Sequence, residues 1–389
     1  MNNFQTGIKF QRSGGFEKVA LLWCSMFEIN FAEKGFNELY DEARVNLSHD
    51  IQQWERHIWH WVALLTDEKV NQFEVTTSGS TGVPKLIRHS RNAFIESAEM
   101  TCNILHLKQG NKALLCLPAN KIGGIMMIVR SFARKLLLTC IKPDANPLSH
   151  LNATAEFDFA AFTPMQLAIS STAYENFRKA EHIKNIILGG GTVNYNLQAI
   201  LKKLDNPVYQ TFGMTETISH IAVRKLNGTN PELYYRLLDG IGIYTDSENR
   251  LIINAPKLEV HNLRTNDLVR LINDKEFEWL GRYDNVINTG GIKVYPEYIE
   301  EKLANIMAVP YFISSVPDEI LGQRIVLAIQ LPSLSDADLI EIKDRISILD
   351  KHFRPKSVFL YNSFSTTETG KINRGATLAN DPITTHLLN

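Results

Sequence analysis

Between positions 76 and 85 the chain reads Thr76-Thr77-Ser78-Gly79-Ser80-Thr81-Gly82-Val83-Pro84-Lys85. Small hydroxylated residues and glycines leave backbone N–H groups and hydroxyls open to phosphate oxygens, and Lys85 adds a point charge. In the usual P-loop, Lys directly follows Gly and precedes Ser or Thr; here Val83-Pro84 intervenes and Leu86 follows, so the run could also be a Ser/Gly surface turn. A second run, Tyr209-Gln210-Thr211-Phe212-Gly213-Met214-Thr215-Glu216-Thr217, begins at a buried strand end, where open α/β sheets bind ligands. Thr215 followed by Glu216 suits an α-phosphate contact and a Mg²⁺ ligand, since Mg²⁺ takes few carboxylates plus phosphate oxygens. The same residues could instead cap a helix. Gly189-Gly190-Gly191, after the apolar 186–188, either admits a flat ligand to the backbone or makes a tight turn.

Further on come Thr265-Asn266-Asp267, Gly281-Arg282-Tyr283-Asp284, Asn288-Thr289-Gly290-Gly291-Ile292-Lys293 and Thr369-Gly370-Lys371-Ile372. An Asp after a turn can accept from two ribose hydroxyls. A Gly-Lys in a C-terminal loop can carry a cation to a phosphate.

These residues need a scaffold, and the hydrophobic pattern predicts one. Ile51, Trp54, Ile58, Trp61 and Leu65 form one helical stripe. Apolar runs at 113–117, 136–141, 157–162, 186–188 and 208–211 read as buried strands separated by helical segments such as 193–204, which predicts a largely parallel α/β sheet. From 218 to 280 short strands (218–224, 251–254, 268–272, 277–280) predict a smaller antiparallel sheet or barrel. A third texture begins near Asp284, with a Pro-started helix at 296–303, strands at 324–330 and 357–360, and a helix at 337–349. The expected organisation is therefore a large N-terminal domain, 1–283, and a smaller α+β C-terminal domain, 284–389.

Composition narrows the function. The 41 basic side chains against 42 acidic ones leave no positive field for nucleic acid and no acidic excess of a disordered tail. Residues 1–7 have neither a basic start nor an apolar stretch, and no apolar run approaches the ~20 residues of a membrane helix, so a cytoplasmic protein without membrane contact is expected. Cys24, Cys102, Cys116 and Cys140 are scattered, as reduced buried thiols would be.

These ordered motifs, spread over 73–374, resemble those of the acyl-adenylate-forming superfamily: acyl- and aryl-CoA ligases, adenylation domains and luciferases. The resemblance implies a mobile C-terminal domain and two half-reactions with ATP, Mg²⁺ and CoA in one site, namely acyl-AMP formation and then thioester formation. It also implies roles. Thr77, Ser78, Gly79, Ser80, Thr81, Gly82 and Lys85 would hold the β- and γ-phosphates. Thr215 would touch the α-phosphate, Glu216 would bind Mg²⁺, Gly189 to Gly191 and Phe212 would flank adenine, and Asp267 with Arg282 would hold the ribose. Lys371 would stabilise charge at the α-phosphate. Asp284 would be the hinge, and Gly290-Gly291 would replace Lys371 at the centre and line the pantetheine channel.

Within the superfamily, 214–222, 277–282 and 284–291 are similar to the o-succinylbenzoate–CoA ligases of menaquinone biosynthesis, in a short form. That substrate keeps a second carboxylate, and the resemblance points to Arg130 as its partner, with Lys121, Ser219 and His220 also at the acyl pocket. Read from spacing alone, Arg130 and Arg134 could form a solvent-facing stripe. Departures from the pattern are Phe212 for a common Tyr, Lys121 for a common His and Asn266 for a common Gly. Residues 1–72 carry no motif. Another acyl-CoA ligase, a carrier-loading adenylation enzyme and a non-catalytic nucleotide-binding relative are the alternatives.

Overall fold

A computed structural model describes residues 26–77, 85–191, 193, 195–304, 309–366 and 372–388. Strand β1 (Met26–Asn30) forms one edge of a twelve-stranded sheet, and α1 (Phe36–Ser48) and α2 (Gln53–Thr66) follow. The predicted stripe of Ile58, Trp61 and Leu65 is buried on α2, which starts where the Gln52 backbone N–H donates to Glu55. Strands β2 (Gln72–Thr76) and β3 (Leu86–Ser90) make a separate two-stranded hairpin, and α3 (Arg91–Ile104) leaves it under a Ser90 cap.

Strand and helix then alternate: β4 (Lys112–Leu115), α4 (Ile122–Ala133), β5 (Leu137–Ile141), β6 (Phe159–Phe162), α5 (Pro164–Ser170), α6 (Tyr174–Arg178), β7 (Ile186–Leu188), α7 (Tyr195–Leu201) and β8 (Val208–Gly213). The order β5-β4-β6-β7-β8 is parallel throughout, as unbroken apolar runs demand of strands covered on both faces. Alternate side chains serve two cores. Ala113 and Leu115 join the core of α2, α3 and α4, while Leu114 joins that of α5, α6 and α7.

From β9 (His220–Lys225) onward pairing is antiparallel, through β10 (Tyr235–Leu237), β11 (Gly242–Thr245), β12 (Arg250–Ala255), β13 (Val260–Leu271) and β14 (Glu276–Arg282). These are the antiparallel strands expected after 218, and they extend the large sheet's own edge. Two local expectations are corrected. Ile218 lies before β9, at a φ of 65° that is outside the extended region of a regular strand. Thr265-Asn266-Asp267 is not a turn but part of β13, where three successive polar residues imitate one although Thr265 and Asp267 are buried.

A six-stranded sheet follows, from β15 (Ile287–Thr289), β16 (Ile292–Val294), β17 (Tyr311–Asp318), β18 (Gly322–Gln330), β19 (Ser357–Tyr361) and β20 (Thr384–Leu387). Its own core takes Ile299 from α8 (Pro296–Leu303) and Ile342 from α9 (Asp336–Ile346), and α10 (Arg374–Leu378) is a short last helix. Among the described residues no helix is long and apolar enough to cross a membrane. Cys102, Cys116 and Cys140 are buried free thiols, and burial pushes each of them up; Cys24 lies outside the described residues.

Candidate active site

Parallel strands share one direction, so the segments leaving β4, β6, β7 and β8 meet along one edge, where α/β sheets bind ligands. Gly189 to Gly191 follow β7 and Phe212 ends β8 beside them, with the Thr211 hydroxyl donating to the Leu188 carbonyl at 3.0 Å. The half-buried Phe212 ring packs edge-on against Phe277, 5.1 Å between centroids. Thr215 to Thr217 form a single 3-10 turn immediately after β8, with Thr215 buried and Glu216 partly exposed.

Gly213 is fixed by space: a Cβ there would come within 2.3 Å of the Ser219 carbonyl oxygen. That crowding folds 213–220 back tightly, and Ile218 bears the strain. At φ 65° and ψ −54° it centres a γ-turn closed by the Ser219 N–H donating to Thr217 O at 2.6 Å. Such a conformation costs a β-branched residue about 1–3 kcal/mol and persists only where its surroundings enforce it. Full burial of Ile218 and the Thr217 hydroxyl donating to Ser219 O at 2.8 Å supply that enforcement.

The turn delivers Ser219 and His220 to Arg130. Helix α4 is apolar and buried around its middle, so Arg130 is only 1% exposed and the solvent-stripe alternative is excluded. Arg134 does reach the surface, where it pairs with Glu99. Arg130 Nη2 donates to Ser219 Oγ at 2.7 Å, and Nε has no hydrogen-bond partner among the described residues. No described carboxylate pairs with this guanidinium. Burial pushes it down to about 10, so it remains charged at neutral pH.

Beyond it lies a one-way chain of donors. Thr101 Oγ1 spends its one proton on Ser97 O, so at its 3.2 Å contact with His220 Nε2 it accepts, which puts the His220 proton on Nε2. Nδ1 is then left to accept from Ser219 Oγ, 3.3 Å away, and Ser219 Oγ itself accepts from Arg130. Burial first, and the Arg130 charge second, hold His220 well below its usual value and therefore neutral. Thr101 escapes sequence reasoning because its partner is 119 residues away.

On the other flank, Asp267 and Arg282 are cross-strand partners on β13 and β14, with Arg282 Nη1 3.7 Å from Asp267 Oδ2. Trp279 Nε1 donates to Asp267 Oδ1 at 3.0 Å, and burial raises this carboxyl above its ordinary value. Asp284, in the turn between the two sheets, accepts from Asn266 and lies 3.6 Å from Arg282. Gly290 and Gly291, with φ of 57° and 82°, make the two-residue β15–β16 turn that needs positive φ at both positions. Lys121 is the exposed residue preceding α4. Where β2 and β3 end, Thr77 N–H donates to Lys85 O and Lys85 N–H to the Thr77 hydroxyl. Ser78, Gly79, Ser80, Thr81, Gly82 and Lys371 lie outside the described residues.

One further residue went unnoticed in the sequence. His89 of β3 is buried with Nε2 3.0 Å from the Thr215 carbonyl.

The fold matches that of AMP-forming ligase structures. The AMP-binding enzyme family profile matches residues 73–253. A crystal structure of an acyl-CoA synthetase (AMP-forming)/AMP-acid ligase II-like protein from Dyadobacter fermentans DSM 18053 is 32% identical, with TM-score 0.61, covering 91% of this chain and 99% of that one. The chain belongs to the AMP-binding enzyme family. It is also similar to 2-succinylbenzoate–CoA ligase of Bacillus subtilis strain 168, 25% identical over 259 residues, 60% of this chain and 53% of that protein. The chain thus spans about half the length of that curated relative. The fold resembles o-succinylbenzoate CoA synthetase from Bacillus subtilis in complex with the acyl-adenylate OSB-AMP, with TM-score 0.64 and 21% identity, covering 78% of this chain and 68% of that one.

Proposed function

We propose that the chain is an ATP-dependent, AMP-forming acid–CoA ligase whose acid is a dicarboxylate of the o-succinylbenzoate class. In the first half-reaction a carboxylate oxygen attacks the α-phosphorus of ATP and pyrophosphate leaves. In the second, the CoA sulfur attacks the acyl carbon, AMP leaves with the electron pair, and the thiol proton passes to solvent. The first step is needed because a carboxylate is a poor electrophile, whereas an acyl-AMP is an activated one.

The observation that carries the substrate class is Arg130, a charged guanidinium buried against the Ser219 hydroxyl and the Met127 thioether with no described carboxylate beside it. An interior cation without an anion is costly, by several kcal/mol. A substrate carboxylate that is not the reacting one would relieve that cost, and the planar guanidinium could bind both its oxygens. A monocarboxylate would not.

The remaining roles follow the site's layout. Thr77 and Lys85, bonded to each other where β2 and β3 end, would face the β- and γ-phosphates together with 78–82. Thr215 would meet the α-phosphate, Gly189 to Gly191 and Phe212 the adenine, and Asp267 with Arg282 the ribose. Glu216, a single carboxylate beside a hydroxyl, is a donor set suited to Mg²⁺, which takes its other ligands from phosphates and water. Bound there, Mg²⁺ would neutralise phosphate charge. Lys371 would serve acyl-AMP formation, and the Gly290-Gly291 turn would replace it for the CoA step. Two domains, 1–283 and 284–389, with Asp284 as hinge, would accomplish the exchange. The end of the large sheet at Arg282 and the start of the next at Ile287 support that division.

Pyrophosphate release measured over o-succinylbenzoate, benzoate and a fatty acid tests the reading. Release with o-succinylbenzoate well above the other two is expected. Equal release with benzoate would remove the dicarboxylate, and no release with any acid would remove the ligase.

A further inference from the structure

The hairpin β2–β3 stands apart from the large sheet, so no strand pairing sets its position against the turn after β8. Both segments bear on the nucleotide in the function proposed above. Among the described residues two side-chain hydrogen bonds reach from the hairpin's outer end to the connections of the large sheet: Ser90 Oγ to Glu259 Oε1 at 2.8 Å, and His89 Nε2 to Thr215 O at 3.0 Å. The second joins positions 126 residues apart and ends on the residue proposed at the α-phosphate.

A carbonyl can only accept, so the His89 proton must sit on Nε2. The ring is buried, 6.0 Å from the Phe94 ring in an edge-on arrangement. Burial holds it below its usual value, against the opposing pull of the Thr215 bond, Glu259 and Glu216, so the ring is neutral. Opposite it on β2 stands Phe73, fully in the core. The imidazole is therefore anchored on one side by packing and aimed by one hydrogen bond at the 215–217 turn. That turn is joined to the strained Ile218 and has no sheet pairing of its own.

We infer that His89 is a positioning residue: its Nε2–H holds the Thr215 carbonyl and so sets the nucleotide-facing turn in register with the phosphate-binding hairpin. The acyl side is held separately, through the chain from Arg130 to Ser219, His220 and Thr101. Loss of the His89 bond should therefore weaken ATP more than the carboxylate. The inference rests on the ligase reading, and the test separates the two.

His89→Phe keeps a ring against Phe94 and removes the donor; His89→Gln keeps an N–H of similar reach. Calorimetric titration with ATP and Mg²⁺ is made on wild type first, where absence of binding would defeat the ligase reading itself. With wild type binding, His89→Phe is expected to weaken ATP about tenfold, the worth of one net hydrogen bond, and to raise the KM for ATP similarly. The KM for carboxylate should stay within about twofold. His89→Gln should recover most of the ATP affinity, with both variants melting near wild type. Unchanged ATP binding in His89→Phe overturns the inference. So does loss in both variants accompanied by equal falls in Tm, which would make His89 a packing residue only.

Discussion

Two arginines are withdrawn from water in this molecule, and they are treated in opposite ways. Arg130, on α4, has one hydroxyl partner, an orphaned Nε and no described carboxylate. Arg374, at the start of α10, lies 2.9 Å from Glu300 and 3.3 Å from Glu297, and its Nη1 also donates to Ile313 O at 3.1 Å. Side-chain exposures of 19%, 9% and 21% for Arg374, Glu297 and Glu300 put all three largely out of solvent. The second cluster answers its guanidinium with carboxylates of its own and so belongs to the architecture of the smaller sheet. The first leaves a positive charge unanswered, and an imbalance the protein does not resolve itself is one a ligand can resolve.

Replacing each arginine by methionine breaks or sharpens that contrast most strongly. Arg130→Met fills similar volume and deletes an uncompensated buried charge. Turnover of the dicarboxylate should fall by about 10²–10³-fold, while folding stability stays level or rises by about 1 kcal/mol. Arg374→Met strands two carboxylates and should lose about 2 kcal/mol of stability. Urea unfolding of both variants, with pyrophosphate release for the first, measures this. If Arg130→Met is the less stable of the two, Arg130 is a structural group after all.

The acidic cluster also makes a pH prediction. Burial, opposed by Arg374, pushes the Glu300 carboxyl up from 4.5 to about 7. A carboxyl raised in the folded protein keeps a proton that the unfolded chain has already released. Its contribution to stability therefore falls as pH rises from about 4.5 through about 7. Glu300→Gln removes that dependence. The stability of wild type relative to this variant should drop between about pH 5 and about pH 8, read from urea midpoints. A difference that does not move with pH would mean Glu300 is fully ionised throughout, with the cluster then carrying net negative charge.

The same contrast shows which parts were readable from sequence. Helix α8 follows its Pro296 start to the residue, and the five parallel strands follow their apolar runs, because both signals are local. The ambiguity at Arg130 was local too: four-residue spacing to Arg134 allowed a surface stripe. The residues around it, Ile125 to Val129, are apolar on every side of the helix, and such a helix must be buried with its arginine inside. That signal was present. For His89 and Thr101 there was none, since each acts through a partner more than a hundred residues distant. Thr265 to Asp267 misled for a third reason: three successive polar residues inside a long strand imitate a turn, although Thr265 and Asp267 are buried there.

The finest test of the contrast is the far end of the Arg130 chain. Thr101→Val is nearly isosteric, so packing against fully buried Cys102 and the α3 core is kept while the acceptor for His220 Nε2–H is lost. His220 then has a buried N–H without a partner and an incentive to move its proton to Nδ1, which would turn Ser219 Oγ from donor into acceptor at that contact. The Ser219 oxygen, with two lone pairs, would then accept from both Arg130 and His220 and turn its own proton elsewhere, a reorientation that loosens the aim of the guanidinium. The expected effect is modest: a rise of about threefold to tenfold in the KM for the dicarboxylate, from a disturbance of about 1 kcal/mol, with the KM for ATP unmoved. A rise in the ATP KM instead would mean that this chain and the His89 contact act as one unit, and the separation between the acyl and nucleotide flanks would have to be given up.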